Sequence, residues 1–419
     1  MRRYLELLRN RPFAALWTGS TISAIGDAMT WVSLIWLVFS IAGSAKQVSV
    51  LVIVYTAPTL VGGFVMGSVL DHFDRRATLI AVNGFLGAAV ATVPVLHQLG
   101  WLHVWNLYVV AALYGFLKMT NWAGVPALVP SIVAGEDLNT ANAMESISFG
   151  LSDVAGPAIG GILIGLMGAA NVLAVDAASY ALFVAFLLRL RIPPAAASEE
   201  VTHDARGSRD LRPAFRFMVQ SPAVFATTLM YMSLNVGEGM LFVLLPLYAS
   251  KVLNGSASVY GSLLSAFAFA ALVGATVVGA VSWRPTLGRS IAAAQTLGGL
   301  AFLGLVFAKT LPEALLVLAV VGLCMSPLTI WAQTIRMRLI PAGMRGRVFG
   351  VLRTLMQSTP PIGAAIAGVL LSHGTTTSTV LVMVALMAIP GVIGLGIPAL
   401  ADEHTHERPI VDPAPETVT

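Results

Sequence analysis

FAALWTGSTISAIGDAMTWVSLIWLVF, residues 13–39, decides the fold: it is one long apolar run with a single acid, Asp27, near its middle. About twenty such residues wound as a helix cross the roughly 30 Å hydrocarbon core of a bilayer. A carboxylate held there is costly, and so marks a candidate functional site. A second run carries Glu238 at the matching place, Gly237-Glu238-Gly239-Met240 standing against Gly26-Asp27-Ala28-Met29.

The rest of the chain has the same character. Its 419 residues are 57% hydrophobic and 11% charged, and its mean hydropathy is +0.83. A water-soluble domain could not cover so much apolar surface. Apolar stretches of span length recur about twelve times between Phe13 and Leu400. They are predicted to start near Phe13, Val48, Thr78, Val104, Asn139, Asn171, Pro222, Val259, Ser290, Pro312, Val348 and Ser378. Uniform apolarity favours helices over barrel strands, which alternate lipid-facing and polar residues. The expected fold class is therefore an all-α membrane bundle.

Basic residues near span ends stay on the cytoplasmic side. With the N-terminus inside, every arginine falls on or beside an inner connection, while Lys46, Lys251 and Lys309 lie outside and Lys118 falls within a span. The expected topology is multi-pass, in a bacterial plasma membrane, with both termini cytoplasmic. The same arginines account for the pI of about 9.4, so no nucleic-acid partner is expected. The basic residues before Phe13 could open a signal peptide, but the run that follows is of span length and lacks a small-residue cleavage pattern. It reads as a retained first helix. The single cysteine, Cys324, excludes an intrachain disulfide. His404 and His406 sit in a polar tail without further ligands, so neither a metal nor a cofactor is expected.

A repeat divides the chain. Gly43-Ser44-Ala45 resembles Gly255-Ser256-Ala257, Gly67 matches Gly279, and Val129-Pro130 matches Ile340-Pro341. Each pair, like the two acidic strings, is offset by about 211 residues, a regularity that chance likeness among apolar segments would not produce. The expected organisation is a six-helix bundle over residues 1–190, a cytoplasmic linker over 191–220, a second bundle over 221–400, and a disordered tail over 401–419. Charge and Pro193-Pro194 mark the linker.

Two such halves resemble the major facilitator superfamily, and local strings sharpen the likeness. Gly67-Ser68-Val69-Leu70-Asp71-His72-Phe73-Asp74-Arg75-Arg76 is similar to the superfamily's signature loop between helices two and three. His72 stands where a basic Arg or Lys is usual, and Asp74 where many members have glycine. The resemblance implies that Gly67 lets helices approach closely, that Asp71 bonds the N-terminus of helix eleven near Arg347, and that Arg75 and Arg76 help hold a cytoplasmic gate. A plain positive-inside loop is the alternative reading. Gly156-Pro157-Ala158-Ile159-Gly160-Gly161 resembles the Gly-Pro motif of antiporters in this superfamily, in which proline and glycines permit a bend packed tightly on a neighbour; generic small-residue packing is the alternative. The first span and the loop from Pro341 to Val348 are similar to the branch that contains macrolide-efflux and enterobactin-export proteins.

By that resemblance helices one, four, seven and ten line a central cavity, which would gather Asp27, Lys118 and Glu238, with Asp153 on span five a further candidate. Burial raises and a nearby cation lowers the pKa of a carboxylate, so an acid in a cavity can exchange protons near neutral pH. The candidate proton-coupling set is Asp27, Glu238, Asp153 and Lys118, although a fixed Asp27 to Lys118 tether is an alternative and Glu238 could instead contact a cationic substrate. Glu145 and Asp176 are expected nearer span ends, where hydration is cheap. Trp31, Trp122, Asn235, Phe242, Trp331 and Gln333 are candidate cavity residues; aromatics with few polar groups suit a bulky amphipathic compound better than a sugar.

The resulting expectation is a transporter acting as a single chain and exporting a small molecule in exchange for protons. Proton-coupled uptake and a non-transporting membrane sensor remain as alternatives. A primary transporter's own ATP-binding loop is absent, since no lysine follows a glycine, and a hydrolytic enzyme is unexpected, since neither His-Glu-x-x-His nor Gly-x-Ser-x-Gly occurs.

Overall fold

The computed structural model describes residues 2–190, 212–280, 286–341 and 344–401. Residues 191–211 of the predicted linker and the tail from 402 onward lie outside the described residues.

An amphipathic helix, α1 (Arg2–Arg9), precedes six long helices: α2 (Arg11–Ala42), α3 (Ala45–His72), α4 (Arg75–Gln98), α5 (Val104–Leu128), α6 (Leu138–Met167) and α7 (Ala169–Arg189). A short α8 (Arg212–Gln220) leads into α9 (Pro222–Leu247), α10 (Ala257–Ala280), α11 (Leu287–Ala301), α12 (Gly304–Phe307), α13 (Leu311–Leu339), α14 (Arg345–Gln357), α15 (Pro360–His373), α16 (Thr376–Leu395) and α17 (Pro398–Ala401). The spans predicted from sequence start within three residues of observed helices.

Helix ends follow local chemistry. The Asn10 side chain accepts from the Phe13 amide at the start of α2, and Gly43, at φ 62°, ends it in the left-handed region. Asp74 accepts from the Ala77 amide and starts α4.

Among the described residues, eleven segments are long and apolar enough to cross a membrane. The twelfth span is α5, whose polar Asn106, Lys118 and Asn121 dilute its hydropathy. It packs against α3 and α4 inside the bundle, which is how such a helix is accommodated in lipid.

Helices α2 to α7 pack on one another, as do α9 to α16, and the two sets meet along α6 with α10 and α3 with α15. Because spans alternate in direction, α1, the turn at Phe73 and Asp74, residues 129–137 and the start of α14 share one end of the bundle, here called the basic end. At the opposite end the halves touch closely. A Cβ at Gly161 would lie 2.9 Å from the Ala257 carbonyl, and one at Gly261 2.4 Å from the Pro157 carbonyl. Ser49 Oγ donates to the Ala364 carbonyl at 2.6 Å, and Trp36 stacks on Tyr260 at 6.1 Å between ring centres.

The apolar core reflects this asymmetry. One cluster runs through both halves at the opposite end and includes Val38, Leu51, Leu244 and Ala364. Toward the basic end it gives way to clusters confined to one half each, around Phe13 and Leu128 in the first and around Ile291 and Trp331 in the second.

Candidate functional site

Asp27 lies in the middle of α2, 7% exposed, on the wall of a cavity of about 410 Å³ within the first half. The cavity extends to Ser20 on α2 and Glu145 on α6, both nearer the basic end, and Lys118, Trp122 and Asp153 also line it. Tyr180 of α7 donates its hydroxyl to Asp27 Oδ1 at 2.5 Å. Lys118 is close enough for its charge to act on both Asp27 and Asp153, but the direct bond to Asp27 is made by Tyr180. The Lys118 ammonium lies over the Tyr114 ring, 5.5 Å from its centre.

Behind Asp27, away from the cavity, stands Asp176 of α7, 0% exposed. It accepts from Thr30 Oγ1 at 2.6 Å and from Ser179 Oγ at 2.9 Å. Gly26 makes room for it, since a Cβ there would lie 2.1 Å from Asp176 Oδ1. This corrects the sequence reading twice: Asp176 and Glu145, expected to be hydrated near span ends, are both buried. Distance from a helix end sets depth along the membrane normal, but the face the side chain occupies decides whether water reaches it. The signal that could have found Asp176 is the polar run with Ser179 and Tyr180 at i+3 and i+4 on one helical face.

In the second half Glu238 is exposed on α9 and lies within electrostatic reach of Asp153. The repeat offset that relates Asp27 to Glu238 also relates Trp31 to Phe242, and these two meet edge to face at 5.4 Å, joining the halves. Tyr55 continues the layer at 4.3 Å from Trp31. Trp122, 44% exposed, packs edge-on against Phe149 at 5.6 Å and lies under the Arg353 guanidinium at 5.5 Å. It also lines a second cavity, of about 240 Å³, between the halves, with Thr59 and Gly63 on one side and Arg353 and Gln357 on the other.

Two predicted cavity residues have other roles. Trp331 is buried at 8% exposure in the second-half core beside Met230 and Ile291, whereas Gln333 is exposed. Two residues apart on a helix means about 200° of rotation, so both cannot face one cavity. Asn235 is buried and donates to the Met356 carbonyl at 2.8 Å. Pro360, four residues on, has no N–H for that carbonyl, which also accepts from Thr359 Oγ1 at 2.8 Å.

The Gly-Pro string occupies a three-helix junction. A Cβ at Gly156 would meet Ala28 Cβ at 2.3 Å and one at Gly160 would meet Met29 Cα at 3.2 Å, both on α2, while Gly161 faces α10. Pro157 is accommodated inside a continuous α6. The signature loop is arranged differently from expectation. Asp71 is exposed, with no partner among the described residues, and nothing lies within 4 Å of a Cβ at Gly67. Arg75 donates to the Ala127 carbonyl at 3.1 Å, and Arg76 to the carbonyls of Leu187 and Leu188 at 2.7 and 2.8 Å. These arginines bind their own half, and among the described residues Asp71 makes no bond to α14, the expected helix eleven.

Solved transporters share this arrangement. The nucleoside transporter NupG superposes with a TM-score of 0.71 at 13% identity over 91% of this chain and 99% of its own. A bacterial homologue of the human lysosomal transporter Spinster gives 0.68 at 13% identity over 94% and 97%. The chain thus has the fold of the major facilitator transporters. The family profile described as transmembrane secretion effector matches residues 4–415, and the chain belongs to that family. Among its relatives, the multidrug efflux pump Tap of Mycolicibacterium fortuitum is 27% identical over 95% of this chain and 97% of its own. The enterobactin exporter EntS of Citrobacter koseri is 26% identical over 87% and 86%.

Proposed function

We propose that the protein is a proton-coupled antiporter that exports a bulky amphipathic small molecule across a bacterial plasma membrane by alternating access. The observation that carries this reading is Asp27, a carboxylate at mid-membrane that faces a cavity on one side and accepts from Tyr180 on the other. A proton taken from outside neutralises Asp27. Its release to the cytoplasm restores the charge, which Lys118 balances while substrate occupies the same space. Glu238 and Asp153 form the equivalent acidic pair between the halves.

The positive-inside rule puts the basic end in the cytoplasm. The cavities then face the side from which an exported compound loads. Export also agrees with the names of the relatives, an efflux pump and an exporter. The two bundles, residues 1–190 and 221–400, would rock about the α3 to α15 and α6 to α10 seams. A single chain carries the whole cavity, so it works as a monomer.

The test is to express wild type and Asp27→Asn at equal membrane levels in a bacterial strain stripped of its own pumps, against a panel of macrolides, tetracyclines, dyes and siderophore-type compounds. Resistance from wild type and none from Asp27→Asn is expected. Equal resistance from both would refute the role of Asp27, and sensitisation by wild type would indicate uptake.

A further inference from the structure

Glu145 has no role in the proton path just described, yet it is 7% exposed and lines the first-half cavity. Its surroundings are fixed: Trp17 Nε1 donates to the Met144 carbonyl at 3.0 Å, Thr21 Oγ1 and Ser148 Oγ bond at 2.7 Å, and Ser152 Oγ donates to the Ser148 carbonyl at 2.8 Å. These neighbouring polar side chains have thus found partners on α2 and α6, while Ser23 Oγ on the same cavity wall has none. Glu145 Oε1 has none. A buried carboxylate oxygen without a donor is costly, and each such atom calls for a ligand or another explanation.

The rest of the wall indicates which ligand. Three carboxylates, Asp27, Glu145 and Asp153, face this cavity against one cation, Lys118. Lys118 acts on Asp27 and Asp153, and no charge partner acts on Glu145. Glu145, Phe149 and Asp153 follow at i, i+4 and i+8 on one face of α6, and Phe149 packs with Trp122. An aromatic wall therefore lies between the unpartnered acid and the mid-membrane acids. An ammonium group in the cavity supplies N–H donors to this carboxylate, and an attached ring fits the aromatic wall.

We infer that Glu145 and the Trp122 and Phe149 rings form a subsite for an amphipathic organic ammonium ion, with the amine on Glu145 and its apolar body against the two rings. This rests on the reading of the cavity as the substrate site, and it names the substrate class.

Binding, not transport, tests it, so that a failure of proton coupling leaves the result interpretable. Purified full-length protein in nanodiscs is titrated with dansylcadaverine, an amphipathic primary amine, and with its uncharged N-acetyl derivative. Wild type should favour the amine by about tenfold, the scale of a charge-assisted hydrogen bond in a partly dry site. Glu145→Gln should abolish that preference while binding the N-acetyl compound as before. Glu145→Asp, which keeps the charge one carbon back, should retain a preference and guards against a folding effect of the amide. Equal binding of the two probes by wild type, or a preference surviving in Glu145→Gln, would overturn the subsite.

Discussion

At the residue scale, the site is organised around one carboxylate that meets the cavity and one that does not. Gly26 and Asp27 are consecutive because the helix needs space on one face for Asp176 and an acid on the next face for the cavity. Adding a Cβ at position 26 forces Asp176 off Thr30 and Ser179. Gly26→Ala is therefore expected to lower stability by about 1–3 kcal/mol, as overpacking does, read as a lower melting temperature in detergent. Asp176→Asn presents an NH₂ to one of the two hydroxyls that donate to the carboxylate, and should cost about 1–3 kcal/mol; an unchanged melting temperature would show that this hydroxyl readily reorients. Asp27 is legible in the sequence because a charge in an apolar run is conspicuous. Asp176 is not, because its burial depends on α2 and α7 crossing at a glycine, which no single span reveals. The same offset of about 211 residues pairs Asp176 with Met387, whose sulfur lies 2.2 Å from a Cβ built at Gly237. The second half thus keeps the shape of this contact and discards its charge.

At the element scale, small residues take the place of a hydrophobic driving force, which is absent between helices in lipid. The α6 to α10 seam needs both Gly161 and Gly261, since either Cβ would meet backbone of the other helix. Gly161→Leu should abolish transport or abundance, whereas Gly165→Leu, where nothing lies within 4 Å, should be tolerated; equal effects would refute the seam. Asn235 ties α9 to the break between α14 and α15. Asn235→Ala should cost about 1 kcal/mol for the lost bond to the Met356 carbonyl, measurable as thermal destabilisation without loss of substrate binding. Span positions are readable to within a turn because length and apolarity fix them. The roles of Trp331 and Asn235 are not, because identity and spacing within one helix leave its rotation against its neighbours open. Gly67 and Asp71 show a different limit: their expected contacts belong to an arrangement in which the basic end is closed, and sequence does not say which arrangement a chain occupies.

At the scale of the whole molecule, the halves are sealed at the end opposite the arginines and parted at the basic end, with Arg353 over Trp122 bridging the gap. The proposed alternating access requires the sealed end to open, and on that proposal the α3 to α15 contact breaks in each cycle. Cysteine pairs introduced between α3 and α15 at the level of Ser49 and Ala364, whose side-chain and carbonyl oxygens lie 2.6 Å apart, should cross-link and stop transport until reduced. Full activity in the cross-linked protein would exclude the rocking motion. The two halves are legible in the sequence because the internal repeat runs the length of both, and its offset also pairs Trp31 with Phe242, which meet where the halves join. The central claim is that Asp27 couples proton movement to substrate movement. Its most direct measurement uses proteoliposomes with an imposed pH gradient, wild type and Asp27→Asn side by side, following substrate and internal pH together. The account predicts that wild type moves substrate against protons, and that Asp27→Asn still exchanges substrate for substrate but no longer responds to the gradient. Gradient-driven accumulation by Asp27→Asn equal to that of wild type would contradict it.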